Sequence, residues 1–341
     1  MFKQGFSITA GVLLCIALVY AFVASFSIFL IAFGGFLISI LFHALATKIE
    51  KIIAIPRLFS LLIVLISFTA LIFGLTWLVG STLIEQYEKF EAILPNTIAN
   101  LRNYLDSFAL GIRFVEELDE LLGNSNSLLD NFQFLFAYTF GFFGDLYALT
   151  FFSIFFMVTP IDYKKGILLL VPSNYEEKAN KILERVWNDL KTWLKAQLLI
   201  MLFIFTTTAI GLLIIGVDLW LILALIAGTL CFIPNIGPTI ALVPAILVGL
   251  LDGIQMATAI FAVYMIVQLI ETGFFGPYIR KRMLSIPPAL LLFFQFALAA
   301  FTGAWGLLMA TPLLVVLMIL VGEIYVVESL KKSLKISGKK K

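Results

Sequence analysis

Between Leu219 and Leu251 a long apolar run is broken in its middle by Ile233-Pro234-Asn235-Ile236-Gly237-Pro238. In lipid, every backbone N–H and C=O must find a partner inside the protein. Pro234 and Pro238 each lack an N–H, and Gly237 adds backbone freedom. Such a hexapeptide is costly against lipid and tolerable where protein or a wet cavity surrounds it. Broken intramembrane segments of this kind are the best sequence pointer to a transporter binding site. The alternative is a plain turn outside the membrane between two ordinary helices.

Lipid is the right reference because the 341 residues are 62% hydrophobic and only 13% charged, with a mean hydropathy of +1.07. That composition is far from a soluble domain and predicts an all-α, polytopic membrane protein. A net charge of +2 gives no reason to expect nucleic acid as a partner. Cys15 and Cys231 both lie inside apolar runs and read as small buried hydrophobes. The lone His43 reads as a helix-end residue at the interface. Trp187, Trp193, Trp220 and Trp305 read as interface anchors or packing groups. Lys3 precedes a long apolar stretch without a small-residue cleavage site, so a retained first helix is expected.

Along the chain the pattern predicts N-terminal spans over 1–81 and an external acidic amphipathic insert over 82–131. It then predicts a span over 132–158, a cytoplasmic amphipathic segment over 159–193, a transport core with two hairpins over 194–323, and a basic tail over 324–341. Within the first block, a tight hairpin near Ala24–Ser27 and a short basic loop over 48–57 separate the spans. The insert carries nine acidic residues against Lys89, Arg102 and Arg113. Ser173 and Glu176 suggest a capping box, followed by an apolar stripe of Ile182, Val186, Leu190 and Trp193. That helix is expected to lie along the membrane surface before turning into a span at about Leu194–Val217.

The remaining 20 of the 23 Lys and Arg residues fall in segments that can all be cytoplasmic. This satisfies the positive-inside rule only if the interrupted stretches 219–251 and 289–322 both return to the side they entered from. The second stretch is interrupted by Thr302-Gly303-Ala304-Trp305-Gly306 and by Thr311-Pro312, and reads as a hairpin of short arms. Internal similarity is weak in sequence, but both tips carry glycine and lie some 65–70 residues apart, as expected of an inverted-repeat carrier.

Glu271 is the one acidic residue within an uninterrupted span, and Gln268 lies one turn before it. An ionisable group there marks a functional site by default. It suits a proton or cation, or it pairs with Arg280 as structural glue. Around the tips, Pro234, Asn235, Gly237, Pro238 and Thr239, then Gly303, Gly306, Thr311 and Pro312, offer neutral hydrogen-bonding groups and irregular backbone. These suit a small polar, uncharged solute. Asp218 and Asp252 fall at helix ends as solvated caps. The sequence contains no grouping for nucleophilic catalysis, no metal-spaced Cys/His cluster and no phosphate-binding loop, so neither an enzyme nor a cofactor is expected.

Phe232-Ile233-Pro234-Asn235-Ile236-Gly237-Pro238, Gln268-Leu269-Ile270-Glu271 with Pro277 six residues on, Gly303-Ala304-Trp305-Gly306 and Ala310-Thr311-Pro312-Leu313 resemble the autoinducer-2 exporter family of bacterial permeases. The basic amphipathic stretch from Pro172 to Leu199 is similar to that family too. The resemblance implies an inner-membrane protein of about eight spans with both termini in the cytoplasm. It implies a homo-oligomer, in the form of a pentamer, working by an elevator-like movement. It implies export of autoinducer-2 or, in other members, extrusion of sodium or lithium in exchange for protons. The position of Asn235 is often aromatic in relatives, which leaves substrate preference open. The readings carried forward are solute export, cation/proton antiport, and a membrane scaffold that recruits partners through its acidic insert.

The charge distribution makes a direct prediction. Cysteines placed at Ser107 and Asn126 are labelled from outside intact cells, whereas those at Lys164 and Ser337 are labelled only after permeabilisation. External labelling at Lys164 would overturn the orientation.

Overall fold

The computed structural model describes residues 25–70, 73–74, 77, 144–281 and 286–326. The expected acidic insert at 82–131, the first apolar run, Cys15 and the tail beyond Val326 lie outside the described residues. Every regular element among the described residues is helical. In chain order they are α1 (Phe26–Ile53), α2 (Arg57–Ala70), α3 (Gly144–Val158), α4 (Pro160–Leu169), α5 (Glu176–Ile214), α6 (Trp220–Leu230), α7 (Ile236–Leu251), α8 (Ile254–Ile270), α9 (Gly276–Arg280), α10 (Pro288–Thr302) and α11 (Ala304–Val321). Four continuous helical stretches are long and apolar enough to cross a membrane: Phe26–Ile53, Ser173–Ile214, Ile254–Arg280 and Ala304–Tyr325. The bent pair α3–α4 makes a fifth if taken as one span. The chain is an all-α polytopic membrane protein.

Two compact units divide it. One draws on Met1–His43, Asp145–Trp193 and Met283–Lys341, the other on Ala44–Gly144 and Leu194–Arg282. The core of the second unit joins Ile200, Ile204 and Leu212 of α5 to Leu223 and Ala227 of α6, Ala241 and Ala245 of α7, and Ile260 and Tyr264 of α8. Outward positions are just as apolar. Leu202, Leu213 and Ile214 on α5, and Phe293, Phe296 and Phe301 on α10, are all exposed. An apolar exterior of this kind is the surface a bilayer covers. Several hydroxyls on these helices are satisfied within their own turn, as where Thr206 donates to the Leu202 carbonyl and Thr258 to that of Ile254, each within 2.8 Å.

Several boundaries differ from the sequence expectation for identifiable reasons. The basic loop at 48–57 is mostly the end of α1, because Lys and Glu sustain a helix. Only Ala54–Pro56 is irregular, with Ala54 at φ 54° ahead of Pro56. The amphipathic segment does not turn before its span. No Pro or Gly occurs between Glu176 and Ile210, and α5 runs unbroken for 39 residues, about 58 Å at the helical rise. That exceeds the roughly 30 Å of a hydrocarbon core, so the polar end of α5 continues past it. The capping box is also absent. Pro172 precedes a 3₁₀ turn at Ser173–Tyr175, Tyr175 N–H donates to the Pro172 carbonyl at 2.8 Å, and no side chain caps the start. The apolar stripe does form, with Ile182, Leu190 and Trp193 all buried.

Both expected hairpins are present. α6 packs against α7, and α10 against α11. At 11 and 16 residues, α6 and α7 reach about 16 and 24 Å, so neither alone crosses the core. The second hairpin is asymmetric rather than short in both arms. α10 has 15 residues, but α11 runs on into a π turn at Gly322–Val326, and the apolar stretch Ala304–Tyr325 has 22 residues.

Candidate functional site

At the first tip the chain leaves α6 through successive short bonds. Phe232 N–H donates to Thr229, Ile233 N–H to Leu230, and Ile236 N–H reaches back only two residues to the Pro234 carbonyl at 2.9 Å. This last bond closes a γ-turn on Asn235, whose φ of 68° and ψ of −44° match the rarer, strained hand. A non-glycine residue in such a conformation costs of order 1–3 kcal/mol, and strain of this type concentrates at functional sites. The sequence offered Gly237 as the residue whose backbone freedom makes the turn. The structure puts that role on Asn235 and shows why residue 237 must be glycine. A Cβ there would collide with the Leu230 carbonyl, so the two arms meet backbone to backbone.

The same tip removes the usual anion site of a helix start. The first N–H groups of a helix are normally free. Here Ile236 donates to Pro234, Gly237 donates to Ile233 at 3.0 Å, and Pro238 has no N–H. What remains on the surface of the tip is neutral. The side chains of Asn235 and Thr239 are exposed, with the Thr239 hydroxyl 3.5 Å from the Asn235 carbonyl.

The second tip uses a similar device. Gly303 has φ 62°, and a Cβ on Gly306 would collide with the Leu298 carbonyl and the Thr302 hydroxyl. Asn235 and Gly303 are 68 residues apart, as are the helix-interior prolines Pro244 and Pro312 in the arms that follow. Leu230 and Leu298, the carbonyls that the glycines approach, keep the same offset. The repeat that sequence similarity barely shows is therefore explicit in the backbone. Thr311 is 4% exposed, and its hydroxyl has no hydrogen-bond partner, an unfavourable arrangement for a buried polar group. Trp305 donates from Nε1 to Asp145 of α3 at 2.6 Å.

Glu271 is buried, at 6% exposure, and its Oε1 accepts from Arg280 at 3.0 Å. Its Oε2 accepts from Gln268 Nε2 at 3.3 Å and from the Thr272 hydroxyl at 3.2 Å. Nine residues at about 100° each would put Arg280 on the opposite side of a regular α-helix. The span is not uninterrupted, however: residues Glu271–Phe275 form a π turn. The extra residue in such a turn rotates the helix face and brings Arg280 round to Glu271. The ring of Phe275 in the same turn stacks on Phe203 of α5, with centroids 4.0 Å apart.

Pro234, Asn235, Gly237, Pro238, Thr239, Gln268 and Glu271 thus belong to the second unit, and Gly303, Gly306, Thr311 and Pro312 to the first. Two further residues support these tips. Gln197, 3% exposed on α5, donates to the Cys231 carbonyl at 2.7 Å and holds the end of α6. Asp145 anchors Trp305 as described. A lone amide and a lone carboxylate in apolar surroundings were the available signals for both.

Broken hairpins in an all-helical polytopic protein are the architecture of membrane transporters. Residues 11–325 match the model of the AI-2E family transporter, and the chain belongs to that family. Among its relatives are two proteins of Bacillus subtilis (strain 168) that carry the name transport protein. YrrI is 28% identical over 170 residues, covering 50% of this chain and 48% of YrrI. YueF is 29% identical over 143 residues, covering 42% of this chain and 39% of YueF. The matched region therefore spans half or less of each relative.

The Glu271–Arg280 pair predicts an asymmetric response to substitution. Arg280→Gln leaves a buried carboxylate without its cation and lowers stability by about 2 kcal/mol, less than for a fully buried pair because the Arg280 side chain is 41% exposed. Glu271→Gln costs less, and Glu271→Gln with Arg280→Gln recovers most of the loss. Thermal unfolding of the detergent-solubilised protein measures all three. A double-variant loss equal to the sum of the two single losses would show that the pair is not coupled.

Proposed function

We propose that this chain is a secondary transporter of the bacterial inner membrane that exports a small polar, uncharged solute, with an autoinducer-2-like furanone as the first candidate. The observation that carries this reading is the chemistry of the first tip. The N–H groups of Ile236 and Gly237 at its helix start are already used and Pro238 has none, its exposed side chains are a carboxamide and a hydroxyl, and it bears no charge of its own. Neutral donors and acceptors recognise hydroxyls and carbonyls. An anionic solute would find no free helix start, and a cation would find no carboxylate on the tip. The γ-turn at Asn235 fixes the backbone from which the carboxamide projects, which lowers the ordering cost of binding.

Sodium(lithium)/proton antiport is the second reading, favoured by the burial of the Glu271 carboxylate. Its bond to Arg280 weighs against it, because that carboxylate already has a counter-ion. Assembly as a homo-oligomer, and as a pentamer, accompanies the first reading.

Proteoliposomes decide between them. Preloaded furanone exchanges with labelled furanone in the wild type, and Asn235→Ala with Thr239→Val reduces that exchange by roughly tenfold, the loss expected from about one hydrogen bond to solute. Sodium flux under a proton gradient stays at the empty-vesicle rate. Sodium flux well above that rate, with furanone exchange absent, would establish antiport instead.

A further inference from the structure

The first unit contains a cavity of about 410 Å³ that plays no part in either tip. It lies in the crook between α4 and the polar end of α5, with α1 as its back wall. Its walls are the rings of Phe36, Phe156, Tyr163 and Trp187, together with Ile167 and Val186. The rings brace one another. Phe36 meets Phe156 at 5.8 Å and Trp187 at 5.9 Å, and Tyr163 meets Phe156 at 4.8 Å between centroids. Lys164 and Glu184 line it as well, their side chains 39% and 57% exposed and paired at 3.1 Å.

Two features place this cavity at the edge of the bilayer. α3 is apolar, exposes Phe151 and Phe155, and ends where Pro160 opens α4 at a bend of 84°. α4 then exposes Ile161 at 65% and ends on Leu169, with Leu170 next, each at 86%. Uncovered apolar residues on a short helix that turns off a membrane-crossing one lie in the interfacial plane. The Trp187 and Tyr163 rings are of the type that concentrates at that depth. At this level the apolar matter on offer is the acyl chain, and the nearest charge is the phosphate of a headgroup.

We propose that this cavity seats one acyl chain of a membrane phospholipid, with the phosphate held against Lys164. Charge complementarity selects an anionic headgroup. Glu184 competes for the same ammonium, so the lipid phosphate takes the place of its carboxylate. Lipid binding therefore opens the contact between α4 and α5, two elements that otherwise meet across an ion pair. The seat is independent of the solute carried at the tips.

The test uses the full chain purified in detergent, titrated with phosphatidylglycerol bearing brominated acyl chains, with tryptophan emission as the readout. Bromine quenches an indole only at contact. A saturable quenching phase of one lipid per chain is expected, and Trp187→Phe removes it. Val186→Phe fills the cavity and abolishes that phase while Trp187 remains. Ile167→Phe serves the same purpose should Val186→Phe fail to fold, as judged by far-ultraviolet circular dichroism. Lys164→Gln weakens phosphatidylglycerol roughly fivefold and brominated phosphatidylcholine by less, because choline offsets the charge of its phosphate. Glu184→Gln tightens phosphatidylglycerol. Quenching that only rises in proportion to added lipid, or a saturable phase that survives both filling variants, would overturn the seat. Equal weakening of the two lipids by Lys164→Gln would overturn the selection of an anionic headgroup, and no weakening of either would overturn the phosphate contact.

Discussion

A polypeptide that turns inside a membrane has no water to satisfy its backbone, and this constraint shapes both hairpins. Each tip resolves it with one residue at positive φ and one glycine pressed against a carbonyl of the preceding arm. The first reverses the chain in very few residues. The second allows the arms to close so tightly that little backbone is left open. At the first tip the γ-turn and the bond from Gly237 consume the donors that a helix start would otherwise expose. Satisfying the backbone at this helix start thus also removes the anion site that a helix N-terminus usually offers.

The buried carboxylate of Glu271 obeys the same economy of burial. An unpaired charge at that depth is expensive, and the π turn provides the geometry that lets Arg280 reach it. A second π turn, Gly322–Val326, carries Glu323, which is bonded to Arg185 on α5. In both places a local over-widening of the helix accompanies a Glu–Arg contact. Neither ion pair involves a residue of the tips, and the first tip carries no charge of its own.

How much of this was legible in the sequence depends on the period of the signal. The membrane class, the two hairpins and the apolar stripe on α5 rest on composition, on breaks at Pro and Gly, and on helical spacing. All three survive because backbone satisfaction in lipid leaves few alternatives. The continuity of α5 was misread because a change from polar to apolar sequence was taken for a change of direction, although nothing between Glu176 and Ile210 can break a helix. Gly237 was assigned the wrong task for a related reason. A glycine answers either to a dihedral angle or to a near neighbour, and sequence does not separate the two. The Glu271–Arg280 contact was named only as one option, since nine-residue spacing on a regular helix argues against it. Gln197 and Asp145 went unnoticed because their partners, Cys231 and Trp305, lie 34 and 160 residues away.

The central claim is that solute is handled by neutral groups at the first tip while Glu271 is held by Arg280. Furanone exchange measured in proteoliposomes between pH 6 and pH 8 for the variant Glu271→Gln with Arg280→Gln tests it most directly. The account predicts exchange within about twofold of the wild type at every pH, because the pair is removed together and the tip is untouched. Loss of exchange in a correctly assembled double variant, or a pH dependence in the wild type that the double variant abolishes, would contradict it and return Glu271 to the centre of the mechanism.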